Sequence, residues 1–221
     1  MKHLLGSFLL VASLIAAPMP AAAQSARPAG VTDDQLFGTV VRESKWLTMP
    51  ISVCWENPGA DDQQYRAITR SAVEETWERY SSVRFTGWGA CVNDAPGIHV
   101  RIAEEGPHTK ALGRYLDQMP AGTVLNFTFK DWSPGCQKTK DFCVYAIAAH
   151  EFGHALGFAH EQNREDAPQQ CRDENKQGTT GDYNVTKYDP NSIMNYCNPQ
   201  WNGDGKLSPL DIEAVRKFYG N

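Results

Sequence analysis

From Asp61 onward, the apolar residues Tyr65, Ile68, Ala72, Val73, Trp77 and Tyr80 recur close to every 3.6 positions, which predicts a long amphipathic helix packed on a sheet. Asp61 and Gln64 are spaced to form a capping box at its start. Before it, Ile51-Ser-Val-Cys-Trp55 alternates as a strand does, and Asn57-Pro-Gly-Ala-Asp61 ends that strand. Short β-like runs follow at Val83 to Phe85, Ile98 to Ile102, around Ala111 to Leu116 and at Val124 to Phe129, separated by Gly, Pro and Asn. Phe142 to Leu156 is apolar nearly all round and reads as a buried helix. Ser208 to Tyr219 carries Pro209 in its first turn, Asp211 near its start and Gly220 as a stop, and reads as a last helix. Gln162 to Lys187 is polar and turn-rich and predicts a long surface loop. Strand, helix, several strands, then helices imply an α/β (α+β) domain with one mixed sheet.

The amino end changes what counts as the domain. Lys2, an apolar run from about Leu4 to Ala17 and the small residues Ala21-Ala22-Ala23 form a secretory signal with an A-x-A cleavage site, so residues 1–23 are excluded from the fold. The apolar run is shorter than the ~20 residues that span a bilayer, so no membrane anchor is expected. Residues 24–45 read as a loosely ordered lead-in or short prosegment, and 46–221 as one domain of ordinary size. Six cysteines beyond the signal predict three disulfides in an exported chain, extracellular or periplasmic. Cys136 with Cys143 closes a short loop, and Cys54 with Cys91 and Cys171 with Cys197 complete the expected set. A net charge of −5 with no basic stripe removes nucleic acid from the expected partners.

Chemistry enters at residues 150–161, His-Glu-Phe-Gly-His-Ala-Leu-Gly-Phe-Ala-His-Glu. Residues four apart share a helix face, so His150 and His154 present their imidazoles to one ion, with zinc bonds of roughly 2.0 to 2.1 Å. A third ligand has to come from another direction. Gly157 permits the positive φ of a sharp turn, and His160 swings back to the metal. Three neutral nitrogens and one open position suit a catalytic Zn2+ that activates water, with Glu151 as general base. Structural histidines on a buried helix would explain a lone HExxH but not the five fixed positions of HExxHxxGxxH.

The extended motif, followed by Ser192-Ile-Met-Asn-Tyr196, is the signature of the metzincin proteases with their Met-turn. The stretches His150 to Asp166, Tyr188 to Tyr196 and Leu207 to Tyr219, together with Ala111-Leu-Gly-Arg114, resemble astacins, as does Glu161 directly after the third histidine. The resemblance implies a single metzincin-like catalytic domain, a twisted mixed sheet plus helices in two lobes about a zinc cleft. It implies a secreted, monomeric zinc endopeptidase acting on protein or peptide substrates, which lie as an extended strand near Ala111 to Leu116. By the same resemblance His150, His154 and His160 are the metal ligands, and Glu151 and Tyr196 are catalytic, the tyrosine stabilising the oxyanion. Met194 is the base of the site, and Glu161 is the glutamate that meets the mature amino terminus. No FxGD motif of the family's prosegments lies between Gln24 and Trp46. A serralysin- or matrixin-like protease, or a zinc-holding binding domain without catalysis, are the alternatives left open. Asn126 and Asn184 head glycosylation sequons, and Asn202-Gly-Asp-Gly205 reads as a tight turn.

Overall fold

The computed structural model describes residues 40–221; the expected signal peptide and most of the lead-in lie outside them. Strand β1 (Ile51–Trp55) is central and nearly all buried. It pairs in parallel with β2 (Phe85–Ala90) on one side and β3 (Ile98–Ile102) on the other. Next come β5 (Thr123–Leu125), parallel to β3, and β4 (His108–Thr109), antiparallel to β5 at the sheet edge. The result is the expected mixed sheet in an α+β fold.

Two strands are placed differently from the periodicity. β2 starts where a run at Val83 to Phe85 was expected to end, because its Gly87 and Gly89 imitate turn residues while a bulge opposite Val53 and Cys54 accommodates the irregular register. The run at Ala111 to Leu116 is not a strand. Residues Gly113–Leu116 form a 3-10 turn, and the edge strand lies earlier, at His108–Thr109. Gly113 has φ +54°, and a Cβ there would collide with the Ser44 carbonyl, so this glycine serves the packing of the chain entry and not a substrate edge.

Helix α1 (Gln63–Val73) continues through a π-helical turn, Glu74–Glu78, which places Trp77 in the core. Asp62 and not Asp61 precedes the helix. Its carboxylate accepts Gly59 N–H and Arg66 Nε, so the expected capping box is absent. α1 packs on α3 (Lys140–Ala155), which follows the short α2 (Pro134–Lys138). α3 is buried from Val144 to Ala155 save Tyr145, as expected of a helix apolar nearly all round, and the burial takes in the polar His150, Glu151 and His154. Trp77 stacks on Phe158 at 5.3 Å and donates its indole N–H to the Ala149 carbonyl at 2.8 Å, tying α1 to α3.

The second lobe begins at Gly157. Its polar stretch is not a simple surface loop: it holds the 3-10 turn Glu161–Asn163 and α4 (Gln169–Asn175), and Gln162, Asn163, Arg164 and Cys171 are buried. α5 (Pro209–Tyr219) closes the chain with a capping box in which Ser208 and Asp211 exchange hydrogen bonds. The disulfides are Cys54–Cys91, Cys136–Cys143 and Cys171–Cys197, the expected set.

The end of the expected lead-in is ordered. Val40 and Ser44 are fully buried, and Val41, together with Trp46 and Tyr219 from α5, satisfies carbonyls that the carboxyl end of α3 would leave orphaned. Val41 N–H donates to the Gly157 carbonyl, Trp46 Nε1 to Ala155, and Tyr219 Oη to Leu156. The turn after α3 is thereby fixed from three directions.

Candidate active site

Helix α3 ends in a Schellman motif: Phe158 N–H donates to the Gly153 carbonyl and Gly157 N–H to His154, with Gly157 at φ +97°. That turn reverses the chain and brings His160, in extended conformation, back beside the helix. His150 and His154, one turn apart on α3, and His160 are all buried and form one cluster. The His160 Nε2 atom lies 3.3 Å from that of His150 and 3.1 Å from that of His154.

The other ring nitrogens decide what those atoms carry. Nδ1 of His150 bonds to the Ile193 carbonyl at 2.7 Å, that of His154 to Phe158 at 2.8 Å, and that of His160 to Gln177 at 2.8 Å. A carbonyl only accepts, so each Nδ1 carries the proton and each Nε2 presents a bare lone pair. Burial holds all three rings neutral, pushing His150 down to about 3, His154 well below the ordinary value and His160 lower as well. Three lone pairs facing one another with no proton between them repel. A cation at their centre removes the repulsion, and two nitrogens each bonded to a tetrahedral zinc stand about 3.3 Å apart. The donor set therefore fits Zn2+, and the carbonyl contacts are the outer hydrogen bonds that such ligands require.

Glu151 projects beside this cluster, 5 % exposed. Thr109 Oγ1 donates to its Oε2 at 2.8 Å, and Thr123, opposite Thr109 in the sheet, lies within 3.4 Å of that hydroxyl. Burial raises the Glu151 carboxyl to about 7, against the opposing pull of the Thr109 hydrogen bond. Tyr196 stacks on His150 with ring centroids 5.4 Å apart and lies 4.4 Å from His160. Its Oη is pushed up to about 12 by burial and by the Glu151 charge, so it stays a hydrogen-bond donor through the neutral range.

Met194 is buried beneath the site, and its carbonyl accepts Glu161 N–H at 2.9 Å. Gly153, between the first two histidines, has no room for a Cβ: one would collide with the Met194 thioether and stand 2.9 Å from the Trp77 ring. We expect Gly153→Ala to cost about 1–3 kcal/mol in urea unfolding, as overpacking does. An unchanged midpoint would show that Met194 moves aside freely.

Glu161 is 2 % exposed, accepts Asp189 N–H at 2.8 Å and lies 3.4 Å from Arg164 Nε. Burial raises its carboxyl to about 8, with the Arg164 charge opposing that rise. Among the described residues, then, its cationic neighbour is Arg164; the residues expected to supply an amino terminus lie outside them. Asn126 is 1 % exposed and hydrogen-bonded to Glu104 and Glu105, so in the folded protein only the exposed Asn184 sequon is open to glycosylation.

Thr109 and the carbonyls of Ile193, Phe158 and Gln177 went unrecognised from the sequence, and no spacing rule would have found them. Backbone acceptors have no side-chain identity, and Thr109 meets Glu151 only through the sheet.

The sequence model of the astacin family, peptidase family M12A, matches residues 133–218. No curated protein matches the chain. Solved structures do match in fold. A structure of myroilysin is 20 % identical with a TM-score of 0.59, covering 83 % of this chain and 99 % of that one. A crystal structure of myroilysin gives 20 % and 0.53, covering 85 % and 95 %. High choriolytic enzyme 1, a hatching enzyme zinc-protease from Oryzias latipes (medaka fish), gives 20 % and 0.50, covering 86 % and 96 %.

Proposed function

We propose that the chain is an astacin-like metzincin, a secreted, monomeric zinc endopeptidase in which His150, His154 and His160 hold the metal while Glu151 and Tyr196 carry out proton transfer and charge stabilisation. The family-model match over residues 133–218 and the shared fold support this. The observation that carries this is the convergence of three bare Nε2 lone pairs with a buried carboxylate beside them. Zinc, when bound, supplies a Lewis acid that polarises the scissile carbonyl and brings the pKa of water to about 7.

The chain's own residues do the rest. Glu151 accepts the proton of the attacking water and returns it to the leaving amine. Its carboxylate is aimed by the Thr109 hydroxyl. Tyr196 donates its hydroxyl to the oxygen on which negative charge develops. The substrate lies as an added strand along the sheet edge at His108–Thr109, the free side of β4.

Residues 1–23 act as the export signal, 24–45 as a lead-in or short prosegment and 46–221 as the protease domain. Three disulfides accord with an oxidising destination, extracellular or periplasmic. No helix among the described residues is long and apolar enough to cross a membrane.

The test is casein cleavage by the purified protein with and without a zinc chelator. We expect loss of cleavage on chelation and its return when one equivalent of zinc is added. Cleavage that persists after zinc is stripped, or its absence from a protein carrying one zinc per chain, would overturn the assignment.

A further inference from the structure

Two depressions flank the histidine cluster, and they differ in which catalytic group they touch. The larger, of about 580 Å³, is bordered by His150, Glu151 and Tyr196 and extends out to Ile147, Trp132 and Trp201. The smaller, of about 120 Å³, is bordered by His154, His160 and the chain at Thr109 to Leu112. On the reading above, the proton that completes peptide cleavage passes from Glu151 to the leaving nitrogen. The residue that owns that nitrogen must sit on the side where Glu151 is, which is the larger cavity.

That cavity has a defined chemistry. Trp132 is 42 % and Trp201 44 % exposed, although both are large apolar rings. Each packs against another aromatic side chain, Trp132 against Phe129 at 5.9 Å and Trp201 against Phe142 at 6.1 Å, and both line the cavity. Apolar surface concentrated at the mouth of a site is surface that a ligand covers. No lysine, arginine or aspartate lines the cavity; its wall carries one carboxylate, Glu151, beside His108, His150 and the Tyr196 hydroxyl. Of the three asparagines on its wall, Asn195 is engaged with the Asp189 carbonyl and Asn198 with Ser192 O and Gln200 N–H, and Asn202, beside Trp201, is uncharged like them. An acidic side chain entering here finds no lysine or arginine and faces the Glu151 carboxylate. A basic one finds no carboxylate except the base itself.

We infer that this cavity selects a large uncharged side chain, aromatic or long aliphatic, on the residue that follows the scissile bond, with Trp132 and Trp201 as its specificity-determining walls. This rests on the protease reading, and it names the substrate class within it.

The test uses internally quenched peptides identical except at the residue after the scissile bond, which is Phe, Leu, Ala, Asp or Arg. Phe and Leu should exceed Ala in kcat/KM by about 10- to 100-fold, the range that a few buried methylenes give, with Asp and Arg lowest. Trp132→Ala and Trp201→Ala should each shrink the Phe-to-Ala ratio several-fold. A flat series, a preference for Asp or Arg, or a ratio untouched by both substitutions would overturn the inference.

Should the purified protein cleave no peptide and no casein, the protease reading fails and the cavity is still tested separately. Tryptophan fluorescence then reports peptide binding to the Glu151→Gln protein. About tenfold tighter binding of the Phe peptide than of the Ala peptide sustains the inference, and equal binding overturns it.

Discussion

Replacing Glu151 with glutamine should lower kcat for casein or peptide cleavage by about 10²- to 10⁴-fold, the contribution of a positioned general base, and leave zinc at one per chain. The substitution preserves shape. The Thr109 hydroxyl that donates to Oε2 at 2.8 Å can still donate to an amide oxygen, and the helix around position 151 is packed on all sides. What disappears is the lone pair that takes the water's proton. The three histidines keep their own fixing bonds to Ile193, Phe158 and Gln177, none of which involves Glu151. Metal content and activity should therefore separate in this variant, whereas His154→Ala should lose both together. Steady-state kinetics beside atomic absorption on the same sample decides the matter. Activity within tenfold of wild type would remove Glu151 from its role, and lost zinc would make the carboxylate a structural element.

The residues that make this site were legible where chemistry imposes a spacing, and illegible where tertiary approach decides. His150 and His154 follow from helical periodicity, and Gly157 from the need for a turn that returns His160, as its φ of +97° shows. The pairing of Cys136 with Cys143 followed from the closure of a short loop. The edge strand was placed near Ala111 to Leu116 because that run reads as β-like and Ala111-Leu-Gly-Arg114 resembles the edge strand of astacins, yet β4 is two residues long and owes its place to pairing with β5. A strand so short leaves no period to read. The stretch after His160 looked like a surface loop because it is polar. Its polar groups are instead turned inward and satisfied: Gln162 Oε1 accepts Tyr196 N–H, and Asn163 Nδ2 donates to the Gln177 carbonyl that also fixes His160. Buried amides with complete hydrogen bonding carry the same sequence signature as exposed ones.

Asp211 connects the last helix to the metal site, and its removal should affect both folding and zinc binding. Its carboxylate accepts Ser192 Oγ at 2.6 Å and the N–H groups of Ile193 and Ser208 at 2.9 Å each. Ile193, held by its N–H in this way, turns the carbonyl of its next peptide group to His150 Nδ1. Asp211→Ala leaves those buried donors without an acceptor and should cost about 2–5 kcal/mol. Because the orientation of His150 depends on Ile193, zinc affinity should fall about tenfold or more in competition with a chromophoric chelator. Acidity separates the charge from the shape. Burial raises the Asp211 carboxyl from 3.8 to about 6, opposed by its three hydrogen bonds and assisted by the nearby Asp189 charge. Between those two values the folded protein holds a proton that the unfolded chain has released, so the Asp211 contribution to stability falls as pH rises through that window and levels off above it. Asp211→Asn cannot titrate. The stability of the wild type relative to Asp211→Asn should therefore drop by up to about 3 kcal/mol from pH 4 to pH 7. Urea unfolding of both metal-free proteins measures this, since histidine titration is common to the two and cancels. A difference that is constant with pH, or that grows in favour of the wild type toward neutrality, would mean that the three donors outweigh burial and hold Asp211 ionised throughout.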